Sequence, residues 1–236
     1  MSAPTSLIIN SAFAEPQQHW AENADRTLRL EPARRPAGYE IIDTRENTRR
    51  QVPIALVDSI RDRVRQWRAD GWPGTTAITL ALLQHWWDAD KASHRQYPFY
   101  FCQLEAIETL IWHVEGLPEY RQGIHIQGDG GDFERLCSKM ATGSGKTTVM
   151  AMIISWQVLN ALTYPKSPRR YSSTIFLVAP GLTVKSRLQV LMPGHENNYY
   201  DQFGLCPSEA LRQKLNRASI LIENWHTLMP LKEPER

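Results

Sequence analysis

The amino-acid sequence predicts an α/β fold in which a partial parallel sheet carries helices on both faces and follows a mostly helical N-terminal region. Two observations lead to this prediction. From about Arg135 onward, continuous apolar runs alternate with segments of helical periodicity. Between Pro53 and Gly116, the apolar residues recur at helical spacing. We expect an N-terminal accessory region over residues 1–95 and an α/β domain over residues 96–236, incomplete at its C-terminal end.

The first 50 residues are polar, and prolines at positions 4, 16, 32 and 36 interrupt any regular pattern. Short irregular strands or an extended arm are expected there. Helical periodicity begins after Pro53 and continues to the stop signal "DGWPG". The apolar positions of this first predicted helix are Leu56, Ile60, Val64 and Trp67.

Two interpretations of the arginines on this helix remain open. Arginines suit nucleic-acid phosphates, but aspartates at positions 58, 62 and 70 equally suit a solvated, salt-bridged face.

A second and more apolar helix, "TAITLALLQHWWDAD", follows a cap at Thr75 or Thr76. An amphipathic helix in "QYPFYFCQLEAIETLIWHVEG" precedes the glycine-rich surface loop "RQGIHIQGDGGDFE". The apolar positions of this amphipathic helix are Phe101, Leu104, Ile107, Ile111 and Val114.

The α/β part begins with a short predicted strand, roughly Arg135 to Met140, which leads into a long apolar helix from about Lys146 to Leu162. The continuous apolar run "TIFLVAP" (174–180) predicts a buried parallel strand, and "ASILIEN" predicts a third strand. Between them, "GLTVKSRLQVLM" and "SEALRQKLN" predict helices. This alternation is typical of a parallel sheet with right-handed crossovers.

Residues 138–148, "SKMATGSGKTT", contain most of a phosphate-binding loop of the pattern G-x-x-x-x-G-K-[ST], with Met140 at its first position. Gly143 and Gly145 can take the positive φ that turns backbone N–H groups toward a phosphate. Lys146 supplies a cation for the β and γ phosphates, and Thr147 supplies a hydroxyl for Mg²⁺, so these two are the predicted catalytic residues. The predicted nucleotide-binding residues of the loop are Thr142, Gly143, Ser144, Gly145, Lys146, Thr147 and Thr148.

Composition indicates a cellular location and excludes some kinds of site, but it does not identify a ligand. Lys plus Arg number 27 against 25 for Asp plus Glu, a balance too mild to predict nucleic-acid binding without a local motif. The spacing of the three cysteines fits neither a zinc site nor a disulfide framework. No apolar run reaches the roughly 18 residues of a membrane span, and the N-terminus lacks the basic start of a signal peptide, so a cytoplasmic location is expected.

Several segments resemble one family. "MATGSGKT" resembles motif I of superfamily 2 helicases and translocases, "FYFCQLEAIETLIW" resembles their upstream glutamine motif, "LVAPGLTVKSRL" their motif Ia, and "ILIENWHTL" the segment around motif Ib. The N-terminal "LIINSAFAEPQQHWAEN" followed by "RRPAGYE" resembles the start of type III restriction enzyme Res subunits. The resemblance implies a RecA-like P-loop NTPase fold, DEAD/DEAH-type helicase character, and ATP and Mg²⁺ as cofactors.

The same resemblance assigns further roles. Gln103 is expected to present its amide to the adenine edge, and absence of the N-K-x-D pattern argues against guanine. DNA is the expected partner, and a DNA methyltransferase subunit is a second one. His226 has no cysteine or second histidine near it in sequence, so no metal role is expected for it. The expected DNA-binding residues, at the ends of two predicted strands, are Pro180, Gly181, Thr183, Lys185, Arg187, Asn224 and His226.

Hydrolysis needs a carboxylate for Mg²⁺ and the attacking water, which this family takes from an Asp-Glu segment. The chain has no Asp-Glu dipeptide; Glu223, at the end of "SILIE", is an alternative, and the family's acidic motif is expected beyond residue 236. The expected function is therefore the ATP- and DNA-binding part of a DNA-dependent helicase-translocase of type III restriction type, without turnover by this chain alone. The alternatives are a stand-alone nucleotide- or DNA-binding module and a truncated remnant.

Overall fold

The computed structural model describes residues 8–229 except 24, 26, 44, 46, 47, 134 and 170. Pro4, Leu7 at the start of the N-terminal segment that resembles Res subunits, and the terminal "LKEPER" lie outside this range. The strands are β1 (His19–Glu22), β2 (Leu28–Glu31), β3 (Gly38–Asp43), β4 (Thr48–Pro53), β5 (Thr174–Ala179) and β6 (Ser219–Asn224). The helices are α1 (Ala55–Ala69), α2 (Ala77–Trp87), α3 (Ala89–His94), α4 (Phe101–Glu115), α5 (Pro118–Arg121), α6 (Lys146–Thr163), α7 (Leu182–Arg187), α8 (Tyr199–Gln202) and α9 (Glu209–Leu215).

The chain packs as two compact units that interleave in sequence. The first unit contains Met1–Gly74 and Phe99–Met140, and the second contains Thr75–Pro98 and Ala141–Arg236. Packing does not follow the division expected at residues 95/96, because α2 and α3 belong to the second unit. That division remains a prediction about domains.

The second unit is mixed α/β and contains the small parallel sheet that the sequence predicts. Strands β5 and β6 pair in parallel, from Thr174 opposite Ser219 to Ala179 opposite Asn224. The predicted helix at 181–192 is α7 followed by a 3₁₀ turn over Leu188–Leu191. Helix α7 packs against both strands. The predicted helix boundaries of α6 and α9 are confirmed to within a residue or so.

Two details of the predicted sheet are wrong. Residues 135–140 do not form a strand, because the segment pairs with no described strand. The Arg135 side chain bonds to Asp129 (2.6 Å) in the preceding loop. Helices also do not cover both faces of the described sheet. Exposure alternates along β5 and β6, so Phe176, Val178 and Leu221 remain exposed on one face.

Helix α6 is the buried centre of the second unit. Its Asn160 donates through Nδ2 to the Thr79 hydroxyl (2.9 Å) and to the Trp156 carbonyl (2.8 Å). The Thr76 hydroxyl lies 2.5 Å from Asn160 Oδ1 and also accepts from the Thr79 N–H, which makes Thr76 the cap of α2. The main buried apolar residues of this unit are Leu82, Leu83, Trp86, Val149, Met152, Ile154, Trp156, Leu159, Leu191 and Leu205.

The first unit is not mostly helical before residue 55. Strands β1 and β2 form one antiparallel hairpin and β3 and β4 form another. Prolines at 32 and 36, between the two hairpins, disfavour a continuous helix, and β2 alternates apolar with charged residues ("LRLE"), a pattern that favours a strand. Helix α1 then packs on α4. Arg61 bonds Asp58 (3.0 Å) and Arg65 bonds Asp62 (2.7 Å), so the salt-bridged interpretation of α1 is confirmed.

The N-terminal arm is fastened to the start of α4. Arg34 donates two hydrogen bonds to the Glu105 carboxylate, at 2.6 and 2.7 Å. Glu15 accepts from Arg65 at 2.7 Å and from Arg34 at 3.4 Å. The Phe101 N–H donates to the Ala12 carbonyl (2.9 Å). The arm thereby fixes the first turn of α4.

A carboxylate lies in the interior of this unit. Glu108 has no exposed surface, accepts a 2.7 Å hydrogen bond from Trp72 Nε1 and lies 3.3 Å from Arg68 Nε. Burial raises the pKa of Glu108 to about 7, because desolvation outweighs the attraction of Arg68.

Among the described residues, no helix combines the length and apolar character that a membrane crossing needs.

The raised pKa of Glu108 predicts a pH-dependent stability. A carboxyl that binds protons more tightly when folded favours folding most below its unfolded pKa of about 4.5, and this contribution is lost as pH rises to about 7. Glu108→Gln keeps an acceptor for Trp72 but does not titrate. Between pH 5 and pH 8 the wild type should therefore lose about 2–3 kcal/mol of unfolding free energy that the variant does not lose. Urea titrations at both pH values measure this; the exposed Glu119→Gln is the control, and a pH-independent difference would contradict the prediction.

Candidate functional site

The loop before α6 has the backbone conformation that the sequence predicts. Gly143 (φ 81°) and Gly145 (φ 76°) are both left-handed. A Cβ on Gly143 would meet no atom within 4 Å, so glycine is needed there for its φ and not for space. Left-handed residues at this spacing are typical of loops whose N–H groups converge on an anion.

Helix α6 begins at Lys146 with Gly145 as its N-cap, and no side chain caps it. The Gly145 carbonyl accepts from the N–H groups of Thr148 (3.0 Å) and Val149 (3.3 Å). By helix geometry, the N–H groups of Lys146 and Thr147, which precede these two bonds, have no intrahelical acceptor. With 18 residues of aligned peptide dipoles behind it, this end of α6 attracts negative charge.

The polar side chains of the loop lie at different depths. Lys146 is exposed, Thr147 is half-buried and Thr148 is 3% exposed. Lys146 Nζ donates to the Ala141 carbonyl (2.7 Å), and the Ser144 hydroxyl donates to the same oxygen (2.7 Å). The sequence did not indicate this shared acceptor. Thr142, the residue after Ala141, is exposed.

The ends of β5 and β6 form one edge of the sheet. Because Ala179 lies opposite Asn224, Pro180 and the residue after Asn224 leave the sheet side by side. Gly181 precedes α7, which carries the predicted residues Thr183, Lys185 and Arg187. The side chains of Thr183 and Arg187 are exposed and form no hydrogen bond or ion pair with any described residue.

Lys185 behaves differently from Arg187. Its Nζ lies 2.7 Å from Glu223 Oε2, and this hydrogen bond holds the pKa of Glu223 below its usual value. The cation predicted to hold phosphate and the acid considered as a Mg²⁺ ligand therefore neutralise each other in this structure. Sequence reasoning did not pair them, since 38 residues separate them along the chain.

Asn224 and His226 also differ. Asn224 is 8% exposed, and its Oδ1 has no hydrogen-bond partner among the described residues. His226 is exposed, and its ring centre lies 4.2 Å from that of Trp225. Sequence reasoning missed Trp225, because a tryptophan after an apolar strand is more often buried than exposed. No group of three or more His, Cys, Asp or Glu side chains among the described residues could hold a metal ion.

Gln103 lies in the first unit, near the start of α4. It is 4% exposed, and its Oε1 accepts a 2.9 Å hydrogen bond from the Tyr100 N–H. Gln103 thus closes the first turn of α4 in the manner of a capping box. The sequence did not indicate this structural role.

Comparison with known proteins places these features in a family. The family described as "Type III restriction enzyme, res subunit" matches residues 96–232, which is more than half of the chain and includes α4, the loop, α6 and both parallel strands. No curated protein and no solved structure matches the chain. The family match covers every segment that carries the resemblance except the N-terminal one. The chain belongs to the family of type III restriction enzyme Res subunits, which are superfamily 2 helicases.

Proposed function

We propose that this chain binds Mg²⁺-ATP and DNA as part of a cytoplasmic, DNA-dependent helicase-translocase of type III restriction type, built on a RecA-like fold. The observation that carries the proposal is the pair of left-handed glycines that leads into the uncapped start of α6. The family membership supports it. A DNA methyltransferase subunit is the protein partner that this function implies.

The loop fits the triphosphate of ATP. First-turn N–H groups of α6 suit phosphate oxygens, and Lys146 would exchange the neutral Ala141 carbonyl for a charged oxygen, which makes a stronger hydrogen bond. The Thr147 hydroxyl would hold Mg²⁺. When bound, Mg²⁺-ATP supplies the phosphoanhydride bond whose cleavage drives such enzymes. Cleavage by this chain alone is not part of the proposal, because its sequence has no Asp-Glu segment.

The carboxyl edge of the sheet fits a nucleic-acid backbone. Thr183 supplies a hydroxyl and Arg187 a guanidinium, and both are exposed without partners among the described residues. Pro180 and Gly181 shape the turn between β5 and α7. The Asn224 amide is buried, so this side chain would have to turn outward to contact a nucleic-acid backbone.

Lys146→Ala tests the phosphate role of the loop. Loss of one charge-assisted hydrogen bond should weaken Mg²⁺-ATP binding at least tenfold, as measured by isothermal titration calorimetry. Lys139→Ala, which removes an exposed lysine outside the loop, is the matched control and should bind as the wild type does. Equal affinities for all three proteins would show that the loop does not hold a triphosphate.

Gln103→Glu tests adenine selection without removing the cap of α4. The variant keeps an oxygen for the Tyr100 N–H but loses the amide donor. Because a bidentate adenine contact is worth about 1–3 kcal/mol, the preference for ATP over GTP should fall roughly 5- to 100-fold while GTP affinity stays unchanged. Competition titrations measure the ratio. An unchanged ratio would remove Gln103 from the proposed base contact.

Glu223→Gln separates the two roles open to Glu223. If Glu223 only neutralises Lys185, the variant frees the Lys185 ammonium to bind a phosphate, and DNA binding becomes tighter. The slope of log K against log salt concentration should then become more negative by about 0.7–0.9. Fluorescence anisotropy across a salt series measures this. Glu196→Gln removes an equal charge at an exposed position of the same unit as control. Weakened Mg²⁺-dependent ATP binding in Glu223→Gln would instead assign Glu223 to the metal.

A further inference from the structure

We propose that Arg34 and Glu105 are positioning residues for nucleotide selection: by joining the N-terminal arm (residues 8–37 except 24 and 26) to the first turn of α4, they hold Gln103 in the orientation that binds adenine. This inference rests on the adenine contact proposed for Gln103 above. It assigns a role to two residues that have none in the proposed function, one of them in the arm.

Arg34 contacts α4 on either side of Gln103. Its guanidinium donates two hydrogen bonds to the Glu105 carboxylate, at 2.6 and 2.7 Å, and its central carbon lies 5.5 Å from the centre of the Phe101 ring. Phe101 lies two residues before Gln103, and Glu105 lies two residues after it. The side chains of Arg34 and Glu105 are each 19% exposed, so water competes little for this contact. The parallel pair of bonds fixes both the distance and the angle between the arm and the helix.

The backbone of the same turn is also held by the arm. The Phe101 N–H, which has no acceptor within the helix, donates to the Ala12 carbonyl (2.9 Å), and the ring centres of Phe13 and Tyr100 lie 5.4 Å apart. The adjacent Tyr100 N–H donates to Gln103 Oε1 (2.9 Å). The Gln103 side chain is therefore bonded to a backbone whose position is set by the arm, so displacement of the arm would displace the amide.

The orientation of this amide matters for adenine and not for guanine. A glutamine amide matches the N6 donor and the N7 acceptor of adenine as a pair, whereas guanine presents acceptors at both positions. A bidentate contact needs both bonds aligned, and a glutamine side chain that is free to rotate loses rotamer entropy on binding. Loss of the arm's hold should therefore weaken the binding of ATP, while GTP, which does not use the paired contact, should bind as before. A pair of residues with only a structural role would affect both nucleotides equally.

The test measures the Mg²⁺-ATP and Mg²⁺-GTP affinities of the whole chain by competition titration. Arg34→Gln and Glu105→Gln should each lower the preference for ATP over GTP about 2- to 30-fold at unchanged GTP affinity, the range expected for residues that act through a neighbour. The double variant should lose no more than either single variant, because all three break the same contact. Arg34→Lys keeps the cation without the planar fork and should give an intermediate preference.

Arg65→Gln is the matched control, because Arg65 holds Glu15 of the arm to α1 (2.7 Å) and bonds no described residue of α4; its preference should equal that of the wild type. A wild-type preference in both Arg34→Gln and Glu105→Gln, with a lowered one in Gln103→Glu, would overturn the inference and leave the adenine contact intact. Equal weakening for both nucleotides, or the same loss in Arg65→Gln, would also overturn it. An unchanged preference in Gln103→Glu would overturn the adenine contact and the inference together.

A variant that does not fold leaves a second measurement. Should Arg34→Gln fail to fold, the preference of Arg34→Lys decides: an intermediate value supports the inference, and a wild-type value overturns it.

Discussion

The second unit depends most on the burial of α6. A helix of this length would ordinarily take a Ser, Thr, Asp or Asn cap worth about 1 kcal/mol, yet Gly145 leaves the first turn without one. Burial of Val149, Met152 and Trp156 and the hydrogen bonds of Asn160 hold the helix in place from its interior. The N-terminus can therefore remain available to an anion because its stability comes from elsewhere along the helix.

Features coded by short sequence stretches were predictable. The apolar runs of β5 and β6 correctly indicated parallel strands, although the expected burial holds for only one face of the pair, and Gly143 and Gly145 were predicted to be left-handed from the loop pattern. The strand expected at 135–140 is absent, because strand formation depends on a neighbouring strand and this segment pairs with none among the described residues. Local composition could not decide between these two outcomes.

Contacts between distant residues could not be predicted in the same way. The Lys185–Glu223 pair depends on the register of two strands, and the sequence alone left both side chains available for other roles. The bidentate contact of Arg34 with Glu105 joins residues 71 positions apart. Through it the N-terminal arm, whose purpose composition did not reveal, stabilises the turn that contains Gln103. Because Gln103 caps that turn, its amide is oriented by the backbone as well as by any ligand.

Under the proposed function, the carboxyl edge of the sheet would bind a nucleic-acid backbone through its cations, and such contacts depend on salt. A contact between Arg187 and a phosphate weakens as salt rises, because displaced counterions contribute less. With Lys185 held by Glu223, the edge has less free positive charge than its sequence suggests. A count of basic residues therefore overestimates the positive charge that this edge can offer to a nucleic-acid backbone.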